Sequence, residues 1–179
     1  MKRILICGFL LAVGLGIVVL PLATATPAVK GKGVAFHLAP DPGGAPPVKH
    51  DGLVVGAKGT IHRTDSGITI NLHTVGLTPG NAYTVWVVEV NCGAPPCRPI
   101  RLAGHIVGNS GKGNFSGRLA LNANPSMAVQ DPFGGDFHCI IADHGPLDPK
   151  DMPNAIKTGL PPLKPDGTTN WKQVIIFAP

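Results

Sequence analysis

Residues 76–91, GLTPGNAYTVWVVEVN, narrow most sharply what this chain can fold into. A Pro79-Gly80 turn leads into a run that is apolar on both sides: Tyr83, Val85 and Val87 on one, Thr84, Trp86, Val88 and Val90 on the other. A strand with one wet face alternates apolar and polar residues, whereas a strand apolar on both sides is covered on both. Such a strand needs neighbours on each side, so a β-sandwich or barrel around it is expected.

Composition points the same way. Glu89 is the one glutamate, 24 glycines and 19 prolines punctuate the chain, and Val, Ile and Thr fill the apolar stretches. Helix formers are scarce and turn formers abundant, which marks an all-β chain. The expectation is one antiparallel β-sandwich of about eight strands, with long Pro/Gly-rich loops.

The first 25 residues read as a targeting segment outside that fold. Lys2 and Arg3 precede an apolar core over 4–22, and Ala23-Thr24-Ala25 supplies the small-x-small cleavage pattern of a signal peptide. A retained membrane anchor is the alternative, since the apolar run nearly reaches bilayer-spanning length. Cleavage would leave 26–179, the length of a single domain, in the periplasm or outside the cell, with no stable membrane span. It would also leave 13 basic against 10 acidic residues, scattered rather than clustered. That balance does not argue for nucleic acid. In an oxidising compartment Cys92 and Cys97, bracketing Gly93-Ala94-Pro95-Pro96, are expected to form a disulfide. Cys139, in the apolar stretch 137–142, is expected to be a buried thiol.

Strands are expected over 33–39, at a sheet edge, and over 53–64 and 67–75, paired as a hairpin about Asp65-Ser66-Gly67. A two- or four-residue loop there points Ile61, Ile68, Ile70 and Leu72 inward, and Thr60, His62, Thr69, Asn71 and His73 outward. A second hairpin is expected from 99–107 and 113–121 over Gly108–Lys112, then a buried strand over 136–143. A long loop over 144–170, with a short helical turn near 153–157, precedes a closing strand over 171–178.

Seven histidines are the main candidates for chemistry. His62 and His73 share the outer face of the hairpin and are expected to stand close enough to share a ligand. His105 and His144 are positioned to join them if their strands are neighbours. Neutral imidazole is a common ligand of zinc and copper, which need two to four converging donors; copper or zinc is therefore the candidate cofactor. The plainer reading is four separate packing or surface histidines. Asp143-His144 invites an acid/base reading, yet no Gly-x-Ser-x-Gly elbow supplies a nucleophile. Asp143 reads better as a strand-end carboxylate that satisfies loop amides. Gly108–Gly113 lacks the spacing of a phosphate loop, and Asp148 and Asp151 that of a calcium loop. Asn114-Phe115-Ser116 matches a glycosylation acceptor, a short pattern that carries weight only on a eukaryotic secretory route.

Four pieces in order carry a resemblance: His62-Arg63-Thr64; His73 with Gly76–Gly80 and Ala82–Trp86; Gly104–Gly108 with Gly111 and Phe115; and Asp143–Pro146. Over about 57–146 the chain resembles a family of small secreted bacterial β-sandwich proteins of unknown function, which implies a secreted bacterial β protein. Gly76–Gly80 after a histidine strand is similar to the copper/zinc superoxide dismutase sandwich. Thr84-Val85-Trp86 stands where that family has its His-x-His pair, so its ligands are not carried over.

The sequence therefore leads to an exported, non-enzymatic binding or structural module, with a histidine-lined metal site as its specific form. A hydrolase built on Asp143-His144 is one alternative. Self-association through edge strands, using the C-terminal strand, is the other.

Overall fold

In the computed structural model the doubly apolar run becomes β5 (Asn81–Glu89), buried over nearly its whole length. The structure describes residues 27–38, 50–92, 99–121, 129–151 and 171–179. The expected signal segment, Cys97 and the helical turn at 153–157 lie outside them. Among the described residues nine antiparallel strands form one sheet, in the order β6-β5-β8-β9-β1-β3-β4-β7, with β2 added to β1. The other strands are β1 (Val29–Leu38), β2 (His50–Leu53), β3 (Lys58–Thr64), β4 (Gly67–Thr74), β6 (Ile100–Ile106), β7 (Gly113–Ala120), β8 (Phe137–Pro146) and β9 (Trp171–Phe177). The all-β antiparallel expectation holds, with nine strands among the described residues against the eight or so expected. Among the described residues no helix is long and apolar enough to cross a membrane.

The sheet curls because β1 belongs to both halves. Gly31 and Lys32 pair with Ile61 and Thr60 of β3, whereas Val34–His37 pair with β9. At the crossing Gly33 stands opposite Gly59. A Cβ on either would come within 2.6 Å of the Phe177 ring, so the bare pair makes room for that side chain. The edge position expected for 33–39 is thus corrected. Its alternation of small and apolar residues serves a strand paired on both sides.

Between the halves lies the main core, which includes Ile61, Ile68, Ile70, Leu72, Tyr83, Val85, Val87, Phe115, Ile141 and Ile175. The opposite face of β5 and β8 carries a second apolar cluster, with Trp86, Ile140, Trp171 and Val174. Both sides of β5 are therefore dry, as its composition requires.

The hairpin of β3 and β4 closes over Asp65-Ser66, with Thr64 opposite Gly67, and its faces fall as the alternation dictates. The second expected hairpin does not form. β6 pairs with β5 and β7 with β4, at opposite ends of the strand order. Their link is tied to the 76–80 turn instead, through Leu77 N–H to Gly111 O (3.0 Å) and Gly80 N–H to Val107 O (2.8 Å). β6 then packs over β7 face to face. Gly117 permits this, since a Cβ there would stand 2.8 Å from Leu102 Cδ1 and 2.9 Å from its carbonyl oxygen.

β9, expected to close the sheet, lies inside it between β8 and β1. Two of its polar contacts are interior. Gln173 hydrogen-bonds Thr74 Oγ1 and donates Nε2–H to Val75 O at 2.8 Å.

Candidate functional site

Alternation along the β3–β4 hairpin sends every second side chain outward, and the neighbouring strands extend that face. Register places four strands side by side: Lys32, Thr60, Asn71 and Ser116 form one row, and Lys30, His62, Thr69 and Arg118 the next. Lys58, His73 and Asn114 form a third. The result is a polar platform about 14 Å across four strands, at about 4.8 Å between neighbours. The segment of β1 that joins it, and all of β3, β4 and β7, contain no Asp or Glu. Asp65 sits beyond the platform, in the β3–β4 turn.

Two adjoining clefts open on this face. One, of 470 Å³, is lined by Lys30, Lys32, His62 and Thr69; the other, of 340 Å³, by Lys58, His73, Asn114 and Ser116. They meet at Thr60 and Asn71, which line both. His73 Nδ1 donates to Asn114 Oδ1 at 2.7 Å, which leaves Nε2 of that tautomer as a free acceptor. Arg118 donates to Ser66 Oγ at 2.8 Å, so its guanidinium is held over the turn end of the platform.

The four histidines singled out from the sequence are not brought together. His62 and His73 do share a face, but His62 stands opposite Thr69 and His73 opposite Lys58. Four residues of ladder separate them, about 13 Å at 3.3 Å per residue. The expected closeness fails because an antiparallel ladder fixes positions along the strand as well as faces. His105 is stacked on Phe115, with ring centroids 4.4 Å apart. His144 Nε2 is bonded to Thr84 Oγ1 at 2.8 Å. Burial holds both His105 and His144 below the ordinary imidazole value, and nearby Asp143 partly offsets this for His144. Among the described residues no group of three or more His, Cys, Asp or Glu is arranged to hold a metal.

Asp143 and His144 point to opposite faces of β8 and act separately. Asp143 lies inside β8, which continues to Pro146, and not at a strand end as expected. It accepts from Asn81 Nδ2 (2.9 Å) and Tyr83 Oη (3.1 Å) of β5 and from Gly145 N (2.9 Å) of its own strand. Tyr83 Oη in turn accepts from Thr78 N at 2.9 Å, which ties the 76–80 turn to β8. His144 does have a hydroxyl within reach. Thr84 is 0% exposed, however, and its oxygen also accepts from Trp86 Nε1 at 2.9 Å. A hydroxyl buried between an indole and an imidazole joins strands and is closed to substrate.

Cys139 is a buried free thiol whose pKa burial pushes up, while Cys92 is not free.

Sequence reasoning found the centre of the platform and missed its flanks. Lys30 and Lys32, and Asn114, Ser116 and Arg118, repeat at every second residue like Thr60 and His62. That shared period was the available signal. No family model, curated protein or solved structure matches the chain.

Proposed function

We propose that this chain is an exported, non-enzymatic β module that acts by binding, with the outer face of β1, β3, β4 and β7 as its ligand surface. The observation that carries the reading is the pair of clefts joined at Thr60 and Asn71 on a face edged by Lys30, Lys32, Lys58 and Arg118. Amides, hydroxyls and half-buried imidazoles on the outer face of a rigid ladder are groups that fix a ligand's orientation. Export is supported by the basic start, apolar core and Ala23-Thr24-Ala25 of the N-terminus. The Cys92–Cys97 disulfide belongs to the same proposal. Alkylation of unfolded, unreduced 26–179 is expected to label Cys139 alone, and labelling of all three cysteines removes the disulfide.

The test of the surface is a ligand array of polysaccharides, oligonucleotides and lipid vesicles. Wild-type 26–179 is compared with T60E/N71E, after circular dichroism and melting show both folded. At least one ligand class retained by wild type should bind the variant tenfold or more weakly. Equal binding of every ligand by both proteins, or no binding to any, refutes the reading.

A further inference from the structure

We propose that the occupant of this platform is an acidic polysaccharide, held by its carboxylate or sulfate groups at the cationic edges and by its hydroxyls at the centre. The inference rests on the reading of that face as a binding surface and adds the chemistry of the ligand. Three features select it.

The first is charge. Lys30 and Lys32 stand on one flank, Arg118 on the other and Lys58 at the far end, all exposed. No carboxylate on those strands neutralises them. Such a field attracts anions and weakens with salt. Because the cations lie at separate edges, a polymer with charges at intervals suits them better than one compact anion.

The second is the neutral interior. Thr60, Thr69, Asn71 and Ser116 line the space between the cations and offer donors and acceptors on one plane. His73, fixed by Asn114, adds an acceptor. Sugar hydroxyls both donate and accept, so a polyol chain matches this mixture. A bare polyphosphate, which only accepts, leaves the acceptors unused.

The third is what the platform lacks. Single-stranded nucleic acids are held largely by base stacking on aromatic side chains. Phe115 of β7 is turned into the core at 2% exposure. Phe36 lies in the part of β1 that pairs with β2 and β9, away from the platform, so this face carries no Phe, Tyr or Trp. The rings this face does offer a base are the imidazoles of His62 and His73, half-buried and four rungs apart, too far separated to hold successive stacked bases.

The experiment measures binding of 26–179 at 0.05, 0.15 and 0.3 M salt to polygalacturonate, dextran sulfate, neutral dextran, polyphosphate and oligo-dT. An acidic polysaccharide is expected to bind at least tenfold tighter than neutral dextran, polyphosphate or oligo-dT. K30Q/K32Q should weaken it at least fivefold. K150Q/K172Q, which removes equal charge away from the face, should stay within twofold. T60V/N71V, two substitutions that suit a strand, should weaken it about threefold at unchanged salt dependence. If K150Q/K172Q costs as much as K30Q/K32Q, net charge explains the binding and the inference falls. It also falls if oligo-dT or polyphosphate binds as tightly, or if the only T60E/N71E-sensitive ligand is not an acidic polysaccharide. In those last cases the surface itself survives. If nothing in either set depends on the face, both fall together.

Discussion

Arg63 faces inward on β3 at 2% exposure, a position where a charge persists only when fully hydrogen-bonded. Its guanidinium donates to the carbonyls of Pro132 (3.0 Å), Gly135 (2.8 Å) and Ala178 (2.8 Å), and its Cζ lies 5.2 Å from the centroid of the Phe137 ring. Burial lowers its pKa, while Asp131 and Asp136 pull the other way. Only a planar fork reaches carbonyls on two separate segments at once. R63M should lower the unfolding free energy by about 3 kcal/mol, read from urea midpoints at constant slope, because the charged hydrogen bonds go and the carbonyls stay buried. R63K should lose most of the same amount. Histidines set the pH response. Burial holds His105, His138 and His144 below 6.5; for His138 the nearby His50 adds to this and Asp136 opposes it. A base that stays neutral when folded takes up protons more readily when unfolded. The stability these residues contribute is therefore full above pH 6.5 and declines as pH falls below it. Melting temperatures at pH 8, 6.5 and 5 should show a plateau and then a drop. H144Q, which keeps an acceptor for Thr84, should flatten part of that drop.

Among the elements, β9 carries the clearest prediction. It is hydrogen-bonded to β8 on one side and β1 on the other, and it contributes Ile175 and Phe177 to the core. A chain ending at residue 170 should therefore show no cooperative unfolding transition by circular dichroism. Had β9 been an edge available to a neighbouring molecule, the shortened chain would remain a folded monomer. How far each element could be read depended on whether its information was local. Inward Ile68, Ile70 and Leu72 against outward Thr69, Asn71 and His73 give a period of two that fixes faces without knowledge of the partner. β5 and β8 were legible as buried because they are apolar on both sides. The pairing of β6 and β7 was not, since the glycine-rich link suits a tight turn or a crossing between layers equally well. What decides it is the clasp on the 76–80 turn and the bare Cα of Gly117 under Leu102, contacts between residues distant in sequence. The start of β1 at Val29 was missed for a similar reason: Lys30 and Lys32 look like a flexible polar lead until β3 supplies partners.

At the scale of the whole molecule, the same division explains the site. The alternation showed that His62 and His73 share a face, but how far apart they stand comes from the rung each occupies. The platform surrounding them depends on β1 and β7 flanking the hairpin, a matter of topology that no single segment encodes. Strand order has one more effect. β1 is among the first described segments to leave a ribosome, yet half of its hydrogen-bonding edge waits for β9, the last. Closing the loop between them carries an entropic cost, and Val34–His37 of β1 lack a partner strand on that side until β9 has emerged. With this strand order the sheet is expected to stay incomplete until the final described strand has been made.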